Sequence, residues 1–369
     1  MTMAGPRPRP GILEIEPYVG GKAAVGGGAP AIKLSSNESA IGPSAKARAA
    51  YEALAGTLHR YPDGGCTSLR QGLARRFNLD PRQIVCGAGS DELIGLLVKA
   101  YAGPGDEVLY SQHGFLMYRL SALAAGAHPV AAPERDLTAD VDALLARVTS
   151  RTRIVFIANP NNPTGSYLPA GELERLHAGL PPEVLLVIDA AYAEFVDAPD
   201  YASGAELAAA HPNVVMTRTF SKLFGLAALR VGWLYGGVGV VDVLNRVRGP
   251  FNVSDAAQAA AVAALEDVEH QAAARAHNDR WLPWLAREIA GLGFKVWPSV
   301  GNFLLVDFPR EAGRDADAAN AFLEKHGVIP RQMHAYGLPG SLRISVGLEQ
   351  ENRRLIEVLQ DFAGRKGSA

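Results

Sequence analysis

The strongest constraint on the fold of this chain is an alternation of short apolar runs with longer helical patterns, which begins near residue 84. The apolar runs are IVCGAG, EVLYS, RIVFIANP, EVLLVIDAAY, NVVMTRTF and VGWLYG, and segments such as SDELIGLLVKAYA and DVDALLARVT lie between them. Runs that are rich in valine and isoleucine and apolar on both faces are typical of buried strands in a parallel sheet. The pattern therefore predicts an α/β domain with a mostly parallel sheet.

The rhythm changes after residue 250. A long alanine-rich helical stretch is followed by NFLLVDF, ADAANAFLEKHG, SLRISVG and ENRRLIEVLQDFAG, which predict a smaller α+β unit. A chain of 369 residues also exceeds the usual size of one hydrophobic core. We expect a large α/β domain over residues 40–262, with the N-terminal segment 1–39 and the small domain 263–369 forming the rest.

The composition argues for a small-molecule substrate. Lysine and arginine together number 36 against 38 acidic residues and are scattered, so we expect no nucleic-acid or anionic-membrane partner. Cys66 and Cys86 fit a reducing compartment and show no metal-ligand spacing, so we expect no metal. No apolar run is long enough to span a bilayer, and the N-terminus lacks the apolar core of a leader. These features predict a cytoplasmic protein.

Polar residues follow the predicted strands at the sheet edge where α/β proteins bind ligands. In GAGSDE, Gly89, Ser90 and Asp91 predict a helix N-terminus that suits an anion, although an ordinary helix cap explains them equally well. In NPNNPTG, Asn162 offers a side-chain amide from a turn that is unusually dense in proline and asparagine. Asp189 follows VLLVI, and a buried carboxylate there needs a cationic partner.

Lys222 follows the run NVVMTRTF and stands among small and apolar residues. It is either a surface lysine at a helix edge or an amine whose pKa is lowered by burial and which forms a Schiff base with a carbonyl cofactor. Arg230, eight residues later, suits a phosphate. An amine, a carboxylate for a ring nitrogen, an amide and the Tyr192 phenol for a ring oxygen, and an anion cradle together predict a pyridoxal 5′-phosphate site.

The motifs NPNNPTG, DAAYAEF and SKLFGLAALRVG, together with LSSNES, RYPDGG and LRISVG, closely resemble those of the fold type I aminotransferases. Within that superfamily the chain is most similar to the histidinol-phosphate aminotransferases, through RPGILEIEPYVGGK and SQHGFLMYRLSALAAGA. The resemblance implies a large domain whose mostly parallel mixed sheet is sandwiched by helices, a small α+β domain, and a homodimer with shared active sites. One departure is SSNESAIGP, where the family commonly has Asn-Pro after Asn-Glu.

The resemblance also implies a role for each candidate residue. Lys222 would bind the cofactor as a Schiff base, Asp189 its pyridine nitrogen, Asn162 and Tyr192 its ring hydroxyl, and Phe115 its ring face. The cofactor phosphate would lie among Ala88, Gly89, Ser90, Asp91, Ser221 and Arg230, with Tyr61 reaching the phosphate of the neighbouring subunit. Tyr18, Asn162, Arg331 and Arg343 would hold the substrate. From the residues alone, Arg343 lies off the apolar face of a strand and could be a solvated edge charge.

The function implied by the resemblance is transamination between L-histidinol phosphate and 2-oxoglutarate. An aromatic or broad-specificity aminotransferase would use the same residues, and a phosphothreonine decarboxylase is also similar but needs no amino acceptor. A non-catalytic dinucleotide-binding protein is disfavoured because no GxGxxG opens the first α/β unit.

Overall fold

The computed structural model describes residues 8–9, 11–17, 20, 22 and 31–364. The predicted substrate residue Tyr18 lies outside the described residues. The helices are α1 (Ala45–Glu52), α2 (Thr67–Phe77), α3 (Ser90–Tyr101), α4 (Leu116–Ala125), α5 (Val141–Leu145), α6 (Ala170–Gly179), α7 (Ala205–Ala210), α8 (Val238–Val247), α9 (Asp255–Glu266), α10 (Val268–Gly291), α11 (Ala316–Lys325) and α12 (Glu349–Ala363).

The strands are β1 (Ile32–Lys33), β2 (Ile84–Gly87), β3 (Glu107–Ser111), β4 (His128–Ala132), β5 (Glu134–Arg135), β6 (Thr138–Ala139), β7 (Thr152–Ala158), β8 (Leu185–Asp189), β9 (Val214–Thr219), β10 (Gly232–Gly236), β11 (Lys295–Val296), β12 (Phe303–Asp307), β13 (Val328–Ile329), β14 (Arg331–Gln332) and β15 (Ser341–Ser345). None of the helices within the described ranges is long and apolar enough to cross a lipid bilayer.

A seven-stranded sheet in the order β2-β10-β9-β8-β7-β3-β4 forms the centre of the larger part of the molecule. β10 runs antiparallel to both of its neighbours, and the other pairs are parallel. The predicted mostly parallel sheet is therefore confirmed, and each of the six apolar runs forms a strand. The sequence analysis missed β4, the half-exposed edge strand HPVAA, because it lacks the continuous apolar character of a central strand.

The apolar runs are continuous because both faces of the sheet are covered. In β7, Val155 and Ile157 pack into one apolar core, whereas Ile154 and Phe156 pack into the core on the opposite face. Successive side chains of a strand point to opposite faces, so a strand between two helical layers needs apolar residues at every position.

The smaller unit contains the antiparallel sheet β11-β12-β15-β14, and its core includes Trp281, Leu304, Ile344 and Leu355. The N-terminal segment joins this unit, since β1 pairs in parallel with β13. Helix α9 packs into the core of the large sheet, and the second half of α10 packs into the small core. The proposed domain boundary near residue 262 stays a prediction.

Candidate active site

A cavity of about 330 Å³ lies at the carboxyl ends of β7, β8 and β9, where parallel α/β sheets bind ligands. Nine of the predicted site residues line it: Ser90, Asp91, Phe115, Asn162, Asp189, Tyr192, Ser221, Lys222 and Arg230. The fold therefore collects in one cavity side chains that are up to 140 positions apart along the chain.

Lys222 lies in the cavity wall three residues after the end of β9. Its Nζ donates to the carbonyl oxygen of Ser36 at 3.2 Å. Exclusion of water by the surrounding residues, helped by the positive charge of Arg343, lowers the pKa of Lys222 to about 7. Near neutral pH a large fraction of this amine is consequently unprotonated, which is the form that attacks a carbonyl carbon.

Asp189 is the last residue of β8 and is only 4% exposed. The Tyr118 hydroxyl donates to its Oδ2 at 2.8 Å, and the Thr217 hydroxyl donates to its Oδ1 at 3.1 Å. Burial raises the pKa of Asp189, although both hydroxyl groups oppose the shift by stabilising the carboxylate. These donors are neutral, so a protonated ring nitrogen in the cavity would supply the missing positive charge.

Tyr192 and Asn162 supply polar atoms to the same cavity. The Tyr192 phenol oxygen accepts a hydrogen bond from Asn37 Nδ2 at 2.9 Å. Asn162 Oδ1 accepts one from Arg343 Nη1 at 2.5 Å. A hydroxylated aromatic ring placed against Asp189 would therefore meet a phenol and an amide at its edge.

The residues predicted to form an anion cradle lie at the N-terminus of α3. Arg230 Nη2 donates to Asp91 Oδ1 at 2.6 Å, and the Arg230 side chain remains about half exposed. A Cβ atom on Gly89, whose φ is 96°, would lie 2.2 Å from Asp91 Oδ1 and 2.4 Å from Arg230 Nη2. Any side chain at position 89 would therefore fill this space, which glycine leaves open. An open space at a helix N-terminus suits a phosphate group.

Some predicted residues lie outside the cavity wall. The backbone N–H of Ala88 donates to Glu92 Oε2 at 2.6 Å, so its phosphate contact stays a prediction. Arg331 lies opposite Arg343 in the β14–β15 pair but lines a second cavity, of about 320 Å³. Tyr61 is 83% exposed and stacks on Phe251, with the ring centroids 4.7 Å apart.

Arg343 is only 6% exposed, so it is not a solvated edge charge. Its Nη2 donates to the Ser35 carbonyl oxygen at 2.7 Å, in addition to the bond with Asn162. The buried guanidinium therefore lies between the N-terminal segment and the turn after β7.

Sequence reasoning missed Tyr118, Thr217 and Asn37. Two of them had a signal: Tyr118 follows Phe115 by three residues on one side of a helix, and Thr217 pairs with Asp189 across neighbouring strands. Asn37 had none beyond its place in the motif LSSNES, because its contact arises from a segment without regular periodicity.

The residues fit pyridoxal 5′-phosphate. The Lys222 amine suits its aldehyde, the uncompensated Asp189 carboxylate suits its ring nitrogen, and the cradle at Gly89 and Arg230 suits its phosphate.

Comparisons with known proteins agree with this geometry. The family model described as aminotransferase class I and II matches residues 29–359. The histidinol-phosphate aminotransferase of Paramagnetospirillum magneticum is 58% identical over 362 residues, which cover 98% of this chain and 100% of the relative. The enzyme of the same name from Rhodospirillum centenum is 59% identical over 360 residues, which cover 98% and 99%.

Solved structures are also similar. Histidinol-phosphate aminotransferase from Sinorhizobium meliloti, in complex with pyridoxal-5′-phosphate, superimposes with a TM-score of 0.88 at 30% identity and covers 98% of this chain and 99% of its own. Aspartate aminotransferase from Thermus thermophilus, with maleate, reaches a TM-score of 0.81 at 22% identity, with coverage of 91% and 92%, which is a likeness of fold alone.

Proposed function

The chain belongs to the aminotransferase class I and II family, and on that premise we propose that it transfers the amino group of L-histidinol phosphate to 2-oxoglutarate. The products are imidazole acetol phosphate and L-glutamate, and the reaction is a step of histidine biosynthesis. The observation that supports transamination most directly is a lysine amine of pKa about 7 in the same cavity as a buried carboxylate. The full-length relatives support the choice of substrate.

When bound, pyridoxal phosphate supplies an aldehyde that exchanges with amines and a protonated ring that accepts the electron pair released at the substrate Cα. Lys222 would hold the cofactor through its Nζ, and the same Nζ, once free, would accept the proton from the substrate Cα. Asp189 would keep the proton on the ring nitrogen. Asn162 and Tyr192 would bind the ring hydroxyl, and Arg230 would bind the phosphate.

The two substrates place different anions in one site. Histidinol phosphate has a phosphate and no α-carboxylate, whereas glutamate has two carboxylates. A planar guanidinium can donate two parallel hydrogen bonds to either anion, whereas the lysine ammonium group cannot. Arg343, which is buried and joined to Asn162, is therefore proposed as the shared anion residue, with Arg331 on the neighbouring strand as its helper.

Arg343→Lys is expected to weaken both half-reactions, each by roughly tenfold to a hundredfold in kcat/KM, because a charge-assisted bidentate contact is lost. Cofactor affinity should stay unchanged, since Arg230 is assigned to the cofactor phosphate. The measurement is a titration of the variant with histidinol phosphate and, separately, of its aminated-cofactor form with 2-oxoglutarate.

Arg353→Lys is the matched control, because Arg353 is an exposed arginine of the same small unit and bonds Glu349 on α12. It should behave as wild type. If either substrate binds Arg343→Lys as tightly as wild type, Arg343 is not the shared anion residue.

The active enzyme is proposed to be a homodimer. Tyr61, Leu58 and Phe251 are exposed large side chains, and Tyr61 does not line the cavity of its own chain. Exposed aromatic and aliphatic side chains of this kind are typical of a protein interface. Tyr61 would then reach the cofactor phosphate in the partner, so that each active site needs two chains.

Mixing Lys222→Ala chains with Tyr61→Phe chains tests this sharing. If Tyr61 acts across the interface, a heterodimer has one site with both defects and one site with neither. Where Tyr61→Phe alone is impaired, activity should therefore rise on mixing. The measurement is specific activity after subunit exchange, with each variant mixed with itself as control. A fully active monomer in solution would contradict the proposal.

A steady-state comparison of donors separates the proposed substrate from its alternatives. Histidinol phosphate should exceed phenylalanine and tyrosine in kcat/KM, and the reaction should require 2-oxoglutarate and release no carbon dioxide. A preference for aromatic donors would indicate a broad-specificity enzyme. The cytoplasmic location is part of the same proposal, and cell fractionation tests it.

A further inference from the structure

Residues 35–37, in the motif LSSNES, contact three of the proposed functional side chains in succession. The carbonyl oxygen of Ser35 accepts from Arg343 at 2.7 Å, that of Ser36 accepts from Lys222 at 3.2 Å, and the Asn37 amide donates to Tyr192 at 2.9 Å. The segment runs along β15, where Ser345 N donates to Leu34 O at 2.9 Å. Three consecutive residues therefore contact Arg343, Lys222 and Tyr192, the first two through backbone carbonyl groups and the third through a side-chain amide.

The side chain of Asn37 is fixed in one orientation. Its backbone N–H donates to Ser345 Oγ at 2.8 Å, and Ser345 Oγ in turn donates its proton to Asn37 Oδ1 at 3.0 Å. With Oδ1 held by the serine, Nδ2 is the atom that faces the Tyr192 phenol. Asn37 is only 1% exposed, so water does not compete for these bonds.

This orientation determines where the phenol proton points. Asn37 Nδ2 has no lone pair to offer, so the phenol oxygen accepts from it and must direct its own O–H elsewhere. Tyr192 is buried but lines the cavity, which leaves the cavity as the direction for that proton. We propose that Asn37 is a positioning residue for transamination, which holds the Tyr192 hydroxyl as a donor toward the ring oxygen of the cofactor.

This inference rests on the proposed function, in which Tyr192 binds the cofactor ring. A phenol that donates to the ring oxygen stabilises the ionised form of that oxygen and so lowers its pKa. The charged groups near Tyr192 are Lys222, Arg343 and Asp189. All three are unchanged in the variants proposed below.

Asn37→Asp is the most direct test. Asn37 has a φ of 54°, a left-handed conformation that asparagine and aspartate tolerate well, so the substitution keeps shape and backbone. A carboxylate cannot donate to Tyr192 and instead accepts its proton, which turns the hydroxyl away from the cavity. Asn37→Gly also tolerates this φ and removes the donor without adding charge, and it decides the question if the aspartate variant fails to fold.

The readouts are the pH midpoint of the visible absorbance change of the bound cofactor and the dissociation constant of the cofactor. Asn37→Asp and Tyr192→Phe should each raise the midpoint by about one pH unit and weaken cofactor binding by roughly tenfold. Asn37→Gly should shift the midpoint and the dissociation constant in the same direction, but by a smaller amount than Asn37→Asp. The double variant Asn37→Gly/Tyr192→Phe should shift no further than Tyr192→Phe alone, because the two residues act through one hydroxyl.

Asn302→Asp is the matched control. Asn302 Nδ2 donates to the carbonyl oxygens of Asn37 and Glu38 at 3.1 and 3.2 Å, so the substitution loosens the same segment without touching Tyr192. It should lower thermal stability and leave the midpoint unchanged. A wild-type midpoint in both Asn37 variants, beside a shifted one in Tyr192→Phe, overturns the inference. A wild-type midpoint in Tyr192→Phe itself contradicts the proposed contact between Tyr192 and the ring, and this inference with it.

Discussion

Lys222→Ala is expected to abolish covalent attachment of the cofactor and to lower turnover by several orders of magnitude. Among the described residues that line the cavity, Lys222 has the only primary amine. Under the proposed function the substitution removes both the group that binds the cofactor aldehyde and the base that moves the Cα proton, and a positioned base alone contributes roughly 10²–10⁴ in rate. Reduction with borohydride followed by mass measurement of the denatured chain shows whether the cofactor is attached.

The pH profile of attachment is part of the same prediction. The pKa of Lys222 is lowered to about 7, so the reactive neutral amine increases as pH rises through 7 and levels off above it. The rate at which cofactor-free protein takes up pyridoxal phosphate should follow this curve rather than that of an ordinary lysine near 10.4.

Lys33→Ala is the control for Lys222→Ala, because Lys33 pairs with Glu38 next to the same N-terminal segment without lining the cavity. It should retain both attachment and turnover. A reduced Lys222→Ala chain that still has the mass of bound cofactor would place the Schiff base on another amine. Non-covalent cofactor binding should survive in Lys222→Ala, since Arg230, Asp189 and the α3 N-terminus are intact.

The sequence sufficed for six of the seven strands of the large sheet and for the polar residues at their ends. A strand between two helical layers is apolar throughout, and Asp189 and Lys222 each follow such a run. Because parallel strands place their carboxyl ends at one edge, these residues had to meet in space. The topology of the sheet was therefore enough to predict that these two residues lie close together.

Contacts that depend on tertiary packing were beyond the same reasoning. Tyr118 follows Phe115 by three residues on one side of α4, but this spacing does not indicate its partner, and only the fold brings its hydroxyl to Asp189 at the end of β8. The possibility that Arg343 is a solvated charge at a sheet edge was wrong for two reasons. β15 lies between β12 and β14, and residues 34–37 cover the face from which Arg343 projects.

Asp189→Asn is expected to keep the fold and to slow both half-reactions by roughly a hundredfold or more. The carboxylate is proposed to stabilise the protonated ring nitrogen through a charge-assisted bond, and a loss of several kcal/mol of such stabilisation acts exponentially on rate. The asparagine oxygen can still accept from one hydroxyl, Tyr118 or Thr217. The measurements are single-turnover rates with histidinol phosphate and with 2-oxoglutarate.

Stability distinguishes a catalytic role of Asp189 from a structural one. Burial raises the pKa of Asp189 in the folded chain above its unfolded value, so its ionised form destabilises the cofactor-free protein at neutral pH. Cofactor-free Asp189→Asn should therefore be at least as stable as wild type at pH 7. This difference should diminish as the pH falls through the raised pKa of the folded carboxyl group, and it should be lost below about 4, where the carboxyl group is protonated in both the folded and the unfolded chain. Asp307→Asn is the control, since Asp307 accepts from Trp297 and Ser341 in the small unit and should affect stability without slowing either half-reaction. Normal turnover in Asp189→Asn would refute its role at the ring nitrogen, whereas slow turnover in a chain that folds at least as stably as wild type supports that role.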